Sequence, residues 1–188
     1  SDDIKAAVTL DPQEISHYLV VTDFNFSIPD GAQIDGIIAH IEKSKESGNI
    51  KDHEVKLIKG GVISGDNKPK NGGWPGGGND TIVPYGGPTD KWALSWTPAD
   101  INASNFGLAI SIRNGDGGGP SKTGYIDQIS IVVYYTESAQ PTTEIVYFSA
   151  DVVCDTVELE WATAREVNNN YFYVERSQNG VTFVKIAL

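Results

Sequence analysis

The sequence predicts an all-β chain: a jelly-roll β-sandwich followed by a partial second sandwich. Apolar and polar residues alternate in many short stretches, turn-forming residues separate these stretches, and no long segment repeats its apolar residues with a helical period. The 20 glycines among 188 residues fit a chain with many turns. We expect the jelly roll at residues 1–138 and the second unit at residues 142–188, joined by a short polar linker at residues 136–143.

The inward-facing rows of the first unit follow from strict alternation, since successive side chains of a strand point to opposite faces. After the row that ends at Trp96, Thr97 followed by Pro98 predicts a short helical turn with Thr97 as its cap. The expected rows are Ile37, Ala39 and Ile41; Val55 and Leu57; Trp92, Leu94 and Trp96; Phe106, Leu108, Ile110 and Ile112; and Ile129, Ile131, Val133 and Tyr135.

Three loops interrupt these strands, at residues 44–52, 60–80 and 114–123. The second is long and rich in glycine, and such loops in compact domains are usually functional or mobile. Trp74 at its centre either presents a flat ring to a sugar or a neighbouring subunit, or folds back as a lid over the core. On the first alternative, Trp74, Tyr85 and Trp92 are candidate ligand-binding residues that form a stacking platform.

Oxygen-bearing side chains in two of these loops are candidate ligands for a structural calcium ion. Asp66, Asn114 and Asp116 are of the residue types that calcium takes, although their spacing does not match a known calcium loop. The three histidines occur singly, which disfavours a zinc site. We expect no other cofactor.

Charge and motif content exclude several functions. The net charge of −11 repels phosphate backbones and anionic lipids, and no apolar run is long enough to cross a bilayer. No nucleophile elbow or other catalytic constellation occurs, and the acidic residues fall mainly at outward strand positions. The sequence therefore predicts a protein that is not an enzyme, although carboxylates that pair only in space stay an open alternative.

The second unit carries about four short alternating stretches, at residues 144–154, 156–161, 171–176 and 181–186. A sandwich of the immunoglobulin type needs about seven strands to bury both inner faces. We therefore expect this unit to be a fragment or to be completed by another chain. Cys154 has no partner for an internal disulfide, and its apolar context predicts a small buried side chain.

The second unit resembles the fibronectin type III-like module found near the C-terminus of Bacteroidota proteins exported by the type IX secretion system. The resemblance rests on one long motif and implies an immunoglobulin-like sandwich in an exported, extracellular or cell-surface protein. The matching residues are Trp161, Thr163, Glu166, Asn168, Asn169, Phe172, Val174, Glu175, Arg176, Ser177, Asn179 and Gly180.

The first unit is similar to a jelly-roll module of secreted and phage-like surface proteins, in its stretches at residues 24–37, 96–108 and 127–135. That resemblance supplies no catalytic residue. Resemblance to Bacteroidota secreted proteins also implies O-glycosylation at Asp-Ser/Thr-aliphatic triplets, which makes Thr81 and Thr156 candidates.

Two functions follow as hypotheses. The first is a non-catalytic structural or adhesive surface protein, whose second unit is completed by strand addition from another copy or a neighbouring surface protein, with a filament as one outcome. The alternative is a carbohydrate-binding module of a secreted hydrolase that holds glycans on Trp74, Tyr85 and Trp92.

Overall fold

The computed structural model describes residues 4–76, 80–137, 143–166 and 171–187, and it confirms the all-β class. The chain divides into two compact units, Ser1–Ser138 and Ala139–Leu188. The described part of the first unit has eight strands and one helix. These are β1 (Ala6–Leu10), β2 (Leu19–Thr22), β3 (Gln33–Lys45), β4 (Ile50–Lys59), β5 (Val62–Ser64), β6 (Thr81–Gly87), α1 (Pro98–Asn102), β7 (Gly107–Asn114) and β8 (Lys122–Thr136).

The strands of the first unit form two four-stranded antiparallel sheets. One sheet has the order β1-β8-β3-β6 and the other the order β2-β7-β4-β5. The chain crosses between the sheets after every strand but β4, so neighbours within a sheet are distant in sequence except for the β4–β5 hairpin. This is the strand order of an eight-stranded jelly roll.

The core lies between the two sheets and is built by the predicted alternation. Phe106, Leu108, Ile110 and Ile112 on and before β7 are at most 3% exposed, and the inward row of β3 is fully buried. On β8 the row ends sooner than expected, because Tyr135 is 39% exposed. Burying these rows supplies the main driving force for folding.

The stretch around Trp92 corrects one expectation. It was predicted as a strand, but Trp92 and Ala93 have φ values of 57° and 54°, in the left-handed region. The Asp90 carboxylate accepts the Trp92 backbone N–H at 2.8 Å, and the Trp92 indole N–H donates to the Ile37 carbonyl at 3.0 Å. A tight turn therefore buries Trp92 without any strand.

Helix α1 confirms the predicted cap. The Thr97 hydroxyl accepts the Asp100 backbone N–H at 3.2 Å, and the Asp100 carboxylate accepts the Thr97 backbone N–H at 2.8 Å. Pro98 occupies the first turn. This reciprocal capping box satisfies two backbone donors that the helix itself leaves unpaired.

The second unit has four strands in its described residues, near the positions predicted. They are β9 (Glu144–Val153), β10 (Thr156–Arg165), β11 (Val174–Ser177) and β12 (Phe183–Ala187). β9 pairs with β10 and β11 with β12, both antiparallel. Cys154 is exposed in the turn between β9 and β10, so its predicted burial is wrong.

Gly107 tests the closeness of β2 and β7. An added Cβ would lie 2.0 Å from the Val21 carbonyl oxygen, whereas a Cβ at Gly117 would meet nothing within 4 Å. We expect Gly107→Ala to lower the free energy of unfolding by about 1–3 kcal/mol, as overpacking does, and Gly117→Ala to leave it nearly unchanged. Urea denaturation of both variants measures this, and equal midpoints would contradict the close approach.

Candidate functional site

The sheet of β9 and β10 has one apolar face, which we call the open face. Its cross-strand pairs are Phe148 with Trp161, Ala150 with Leu159, and Val152 with Val157. The opposite face carries polar pairs such as Asp151 with Glu158. One side of this sheet therefore has the composition of a sandwich interior.

The open face is largely exposed to solvent, although Phe172 contacts it at Trp161. Val152 is 79% exposed, Val157 60% and Phe148 58%, and Trp161 is 39% exposed. Trp161 stacks on Phe148 with ring centroids 6.5 Å apart and meets Phe172 edge-on at 6.1 Å. These rings border an apolar cleft of about 240 Å³ that Ile145, Val174 and Phe183 also line. Contiguous exposed apolar surface of this kind marks an interaction site.

The backbone of the second unit is also open to pairing. Each of its two described sheets has only two strands, so every strand has one edge without a hydrogen-bonded neighbour in the sheets as described. An open edge presents a row of N–H and C=O groups that another strand can pair with. The second unit thus offers both hydrogen bonds and apolar contacts to an added strand.

The end of the motif on which the family resemblance rests, from Ser177 to Gly180, forms a turn. The Ser177 hydroxyl accepts the Gly180 N–H at 2.9 Å, and the Asn179 side-chain oxygen accepts the N–H groups of Val181 and Thr182 at 2.9 Å each. Gly180 has a φ of 70°, which glycine adopts without strain. These residues therefore fix the β11–β12 hairpin. Asn168 and Asn169 lie outside the described residues.

The predicted stacking platform in the first unit is not formed. Trp74 is 3% exposed, and Tyr85 and Trp92 are 0% exposed. A sugar stacks on a ring whose face is open, whereas these three rings pack in the core. For Trp74 the structure shows the other alternative, a side chain folded back into the sandwich.

Trp74 and Tyr85 instead surround a buried ion pair between Lys43 and Asp52, which we call the buried pair. The Lys43 Nζ lies 2.7 Å from Asp52 Oδ1, and the two side chains are 4% and 0% exposed. Trp74 Nε1 donates to Oδ1 at 2.7 Å, while the Tyr85 hydroxyl and the Lys70 backbone N–H donate to Oδ2 at 2.9 and 2.8 Å. Lys43 also donates to the Tyr85 hydroxyl.

This cluster joins three parts of the first unit. Lys43 and Tyr85 belong to one sheet, Asp52 belongs to the other, and Trp74 and Lys70 come from the glycine-rich loop. Burial lowers the pKa of Lys43 by desolvating the ammonium group, although Asp52 opposes this shift. Burial likewise raises the pKa of Tyr85, and the charge of Asp52 adds to that shift. Tyr85 is therefore a neutral hydrogen-bond donor.

The three predicted calcium ligands are placed at different ends of β4, because Asn114 pairs with Ile50 at its start whereas Asp66 follows Ser64, which pairs with Leu57 near its end. The Asn114 side chain donates to the Leu10 carbonyl at 3.1 Å and accepts the Asp116 backbone N–H at 3.1 Å, which fixes a turn. Asp66 lies in another segment, where its backbone N–H donates to the Trp92 carbonyl and its carboxylate pairs with Lys68. Local hydrogen bonds therefore occupy the side chain of Asn114.

A different group of carboxylates does come together. Oxygens of Glu42, Asp80 and Asp127 lie within 4.8 Å of one another on half-buried residues. The Lys5 ammonium lies 2.5 Å from Asp80 and lowers the pKa of that carboxyl through their hydrogen bond. A lysine therefore already supplies positive charge to this group.

The first unit also has a cleft between β1 and β2, with a volume of about 240 Å³. Val8, Leu19, Ile112 and Ile126 are among its lining residues, and the Trp74 ring borders it. This volume is below the range of about 300–1,000 Å³ that is usual for ligand pockets. Since the lining is mainly aliphatic, the cleft is poorly suited to a polar sugar.

Thr81 and Thr156, the glycosylation candidates, are both exposed at the first positions of β6 and β10. The Thr156 hydroxyl donates to the Val153 carbonyl at 2.9 Å across the turn. Both positions are accessible, which modification requires.

The chain has no match among protein-family models, curated proteins or solved structures. Within the described ranges, no helix combines the length and the apolar character needed to span a membrane.

The buried pair was missed although the sequence carries a signal for it. Lys43 occupies the next inward position after Ile37, Ala39 and Ile41, and alternation alone places it in the core. A charge on an inward row requires a buried partner. Asp52 was harder to find, because the register of β4 shifts between Asp52 and Glu54.

Trp74→Phe tests the hydrogen bond from the glycine-rich loop to the buried pair. The variant leaves the Asp52 carboxylate one donor short, so we expect the free energy of unfolding to fall by about 1.5–3 kcal/mol. Trp96→Phe is the matched control, since Trp96 Nε1 donates to the uncharged Lys91 carbonyl at 3.0 Å and should cost only about 0.5–1.5 kcal/mol. Urea denaturation compares the two, and an equal or larger loss in the control would refute the role assigned to Trp74.

Proposed function

We propose that this chain is a non-catalytic structural or adhesive part of an exported surface protein. On this proposal its second unit is completed by β-strand addition from a neighbouring copy. The observation that carries the proposal is the open face, where the pairs Phe148–Trp161 and Val152–Val157 have the chemistry of a core but are between 39% and 79% exposed.

The energetics favour a strand over a purely apolar partner. Full burial of a valine or phenylalanine contributes about 1.5–3 kcal/mol, so covering the half-exposed side chains of the open face returns about 1 kcal/mol each. Association costs about 4–15 kcal/mol in lost freedom. Apolar contact alone therefore reaches only the lower end of that range. A strand that also pairs with an open edge adds main-chain hydrogen bonds and makes stable binding possible.

Charge supports association that is selective and sensitive to salt. At a net charge of −11, copies of the chain repel one another. At about 0.1 M salt the screening length falls to about 10 Å, so repulsion between distant charges is reduced while apolar contact is not. Self-association through the open face should therefore strengthen as salt rises.

The placement in an exported surface protein rests on the resemblance of the second unit to the type IX secretion module. The open face would allow copies of such a protein to join, since a strand donated by one copy to the next makes a head-to-tail contact. Such contacts build a filament when the rotation between copies does not close a ring.

Val152→Glu tests the proposal by placing a charge on the open face. Val152 is 79% exposed, so the monomer should keep its fold, while burial of the new carboxylate should prevent association. Val153→Glu is the matched control, because Val153 is the next residue of β9 and points to the opposite face.

Sedimentation velocity at increasing protein and salt concentration, with electron microscopy, reads out this comparison. We expect wild type and Val153→Glu to form larger species or fibres and Val152→Glu to stay monomeric. Strictly monomeric wild-type particles at all concentrations would contradict completion by a second copy, as would equal association of both variants.

A further inference from the structure

We propose that Lys43 and Asp52 condense with each other to form an isopeptide bond that ties β3 to β4 across the sandwich. The proposal concerns the buried pair in the first unit and is independent of the open face in the second. It converts a contact between two sheets into a covalent link.

The reacting groups are already held together and away from water. Lys43 Nζ lies 2.7 Å from Asp52 Oδ1, in side chains that are 4% and 0% exposed. Holding two reactants in one geometry replaces a bimolecular step by an intramolecular one. This removes a large part of the activation free energy of the reaction. Exclusion of water also disfavours the reverse reaction, hydrolysis of the amide.

Hydrogen-bond donors are arranged around the carboxyl group as an acyl-transfer step requires. The Tyr85 hydroxyl and the Lys70 backbone N–H donate to Oδ2 at 2.9 and 2.8 Å. Two fixed donors on one oxygen form an oxyanion hole for the negative charge that appears there during attack on Cγ. Trp74 Nε1 donates to Oδ1 at 2.7 Å, the oxygen that leaves.

The reaction needs the amine in its neutral form, and burial of Lys43 beside Asp52 makes that form easier to reach than it is in water. Desolvation lowers the pKa of Lys43, although the charge and the hydrogen bond of Asp52 act in the opposite direction. A buried pair can also neutralise itself by moving one proton from nitrogen to oxygen along their hydrogen bond.

The step balances without any other reactant. One proton passes from the ammonium group to Oδ1, and the Nζ lone pair attacks Cγ while the C=O electron pair moves to Oδ2. The second proton then passes from Nζ to the Oδ1 hydroxyl, the Cγ–Oδ2 double bond re-forms, and the Cγ–Oδ1 bond breaks. The products are one water molecule and a secondary amide that keeps one hydrogen on nitrogen.

Other ion pairs of the first unit serve as internal controls. Lys68 lies 2.8 Å from Asp90, close to the separation in the buried pair, but these side chains are 23% and 32% exposed. Water stabilises the ammonium and the carboxylate there and competes for the electrophile. We expect the Lys68–Asp90 pair to stay unlinked.

The experiment is an intact-mass measurement of the purified, folded full chain under denaturing conditions, followed by peptide mapping. We expect wild type to be lighter by one water molecule than its sequence requires, with a branched peptide that joins Lys43 to Asp52 and no such peptide joining Lys68 to Asp90. A wild-type chain of full mass overturns the proposal.

The Lys43→Arg variant distinguishes the isopeptide bond from another reaction that also releases one water molecule. Asp-Gly steps such as Asp116-Gly117 also lose one water when they cyclise to a succinimide, and Lys43→Arg keeps those steps but lacks the amine. We expect this variant to have full mass. If it is lighter by one water as wild type is, and wild type yields no branched peptide, the proposal is overturned.

Tyr85→Phe tests the oxyanion hole. Loss of one such donor slows acyl transfer about 10²–10³-fold. We expect the linked fraction, followed by mass in samples taken at intervals after a pulse of synthesis, to grow slower than in wild type by that factor, with circular dichroism confirming that the variant folds. An unchanged rate in the folded variant overturns the role assigned to Tyr85.

Discussion

The first unit depends on the contact between Lys43 and Asp52 in its interior. A buried ion pair is costly unless every lone pair and proton finds a partner. Here both carboxylate oxygens are satisfied, by Lys43 and Trp74 on one side and by Tyr85 and the Lys70 backbone on the other. Because these groups come from both sheets and from the glycine-rich loop, their positions are set together.

The same contact explains why an aromatic residue in a glycine-rich loop does not form a sugar platform. Trp74 has a polar N–H that needs an acceptor when the ring is buried. Asp52 supplies that acceptor, and the Lys43 ammonium lies 4.8 Å from the centre of the Trp74 ring, within the range of a cation–π contact. The ring is therefore held by its polar group as well as by its apolar surface.

Much of the fold could be predicted from local pattern, because alternation and capping act between near neighbours in sequence. The row from Phe106 to Ile112 and the cap at Thr97 are of this kind. Trp92 shows the limit, since its backbone turn depends on Asp90 and on the distant Ile37 carbonyl. The alternation around Trp92 correctly predicted that its side chain is buried, but it wrongly predicted a strand there.

The candidate sites were harder to predict than the fold, because they form between residues distant in sequence. Asn114 and Asp116 were recognised as oxygen donors, but the backbone at Leu10 engages the Asn114 side chain. The carboxylates of Glu42, Asp80 and Asp127 converge only through the pairing of β3 with β6 and β8.

Strand alternation, by contrast, did indicate the open face. The same alternation that buries the core of the first unit leaves Phe148 and Val152 58% and 79% exposed in the second, where residues of β11 and β12 border only the cleft beside Phe148 and Trp161. An interaction surface in the second unit is therefore a direct consequence of its strand pattern.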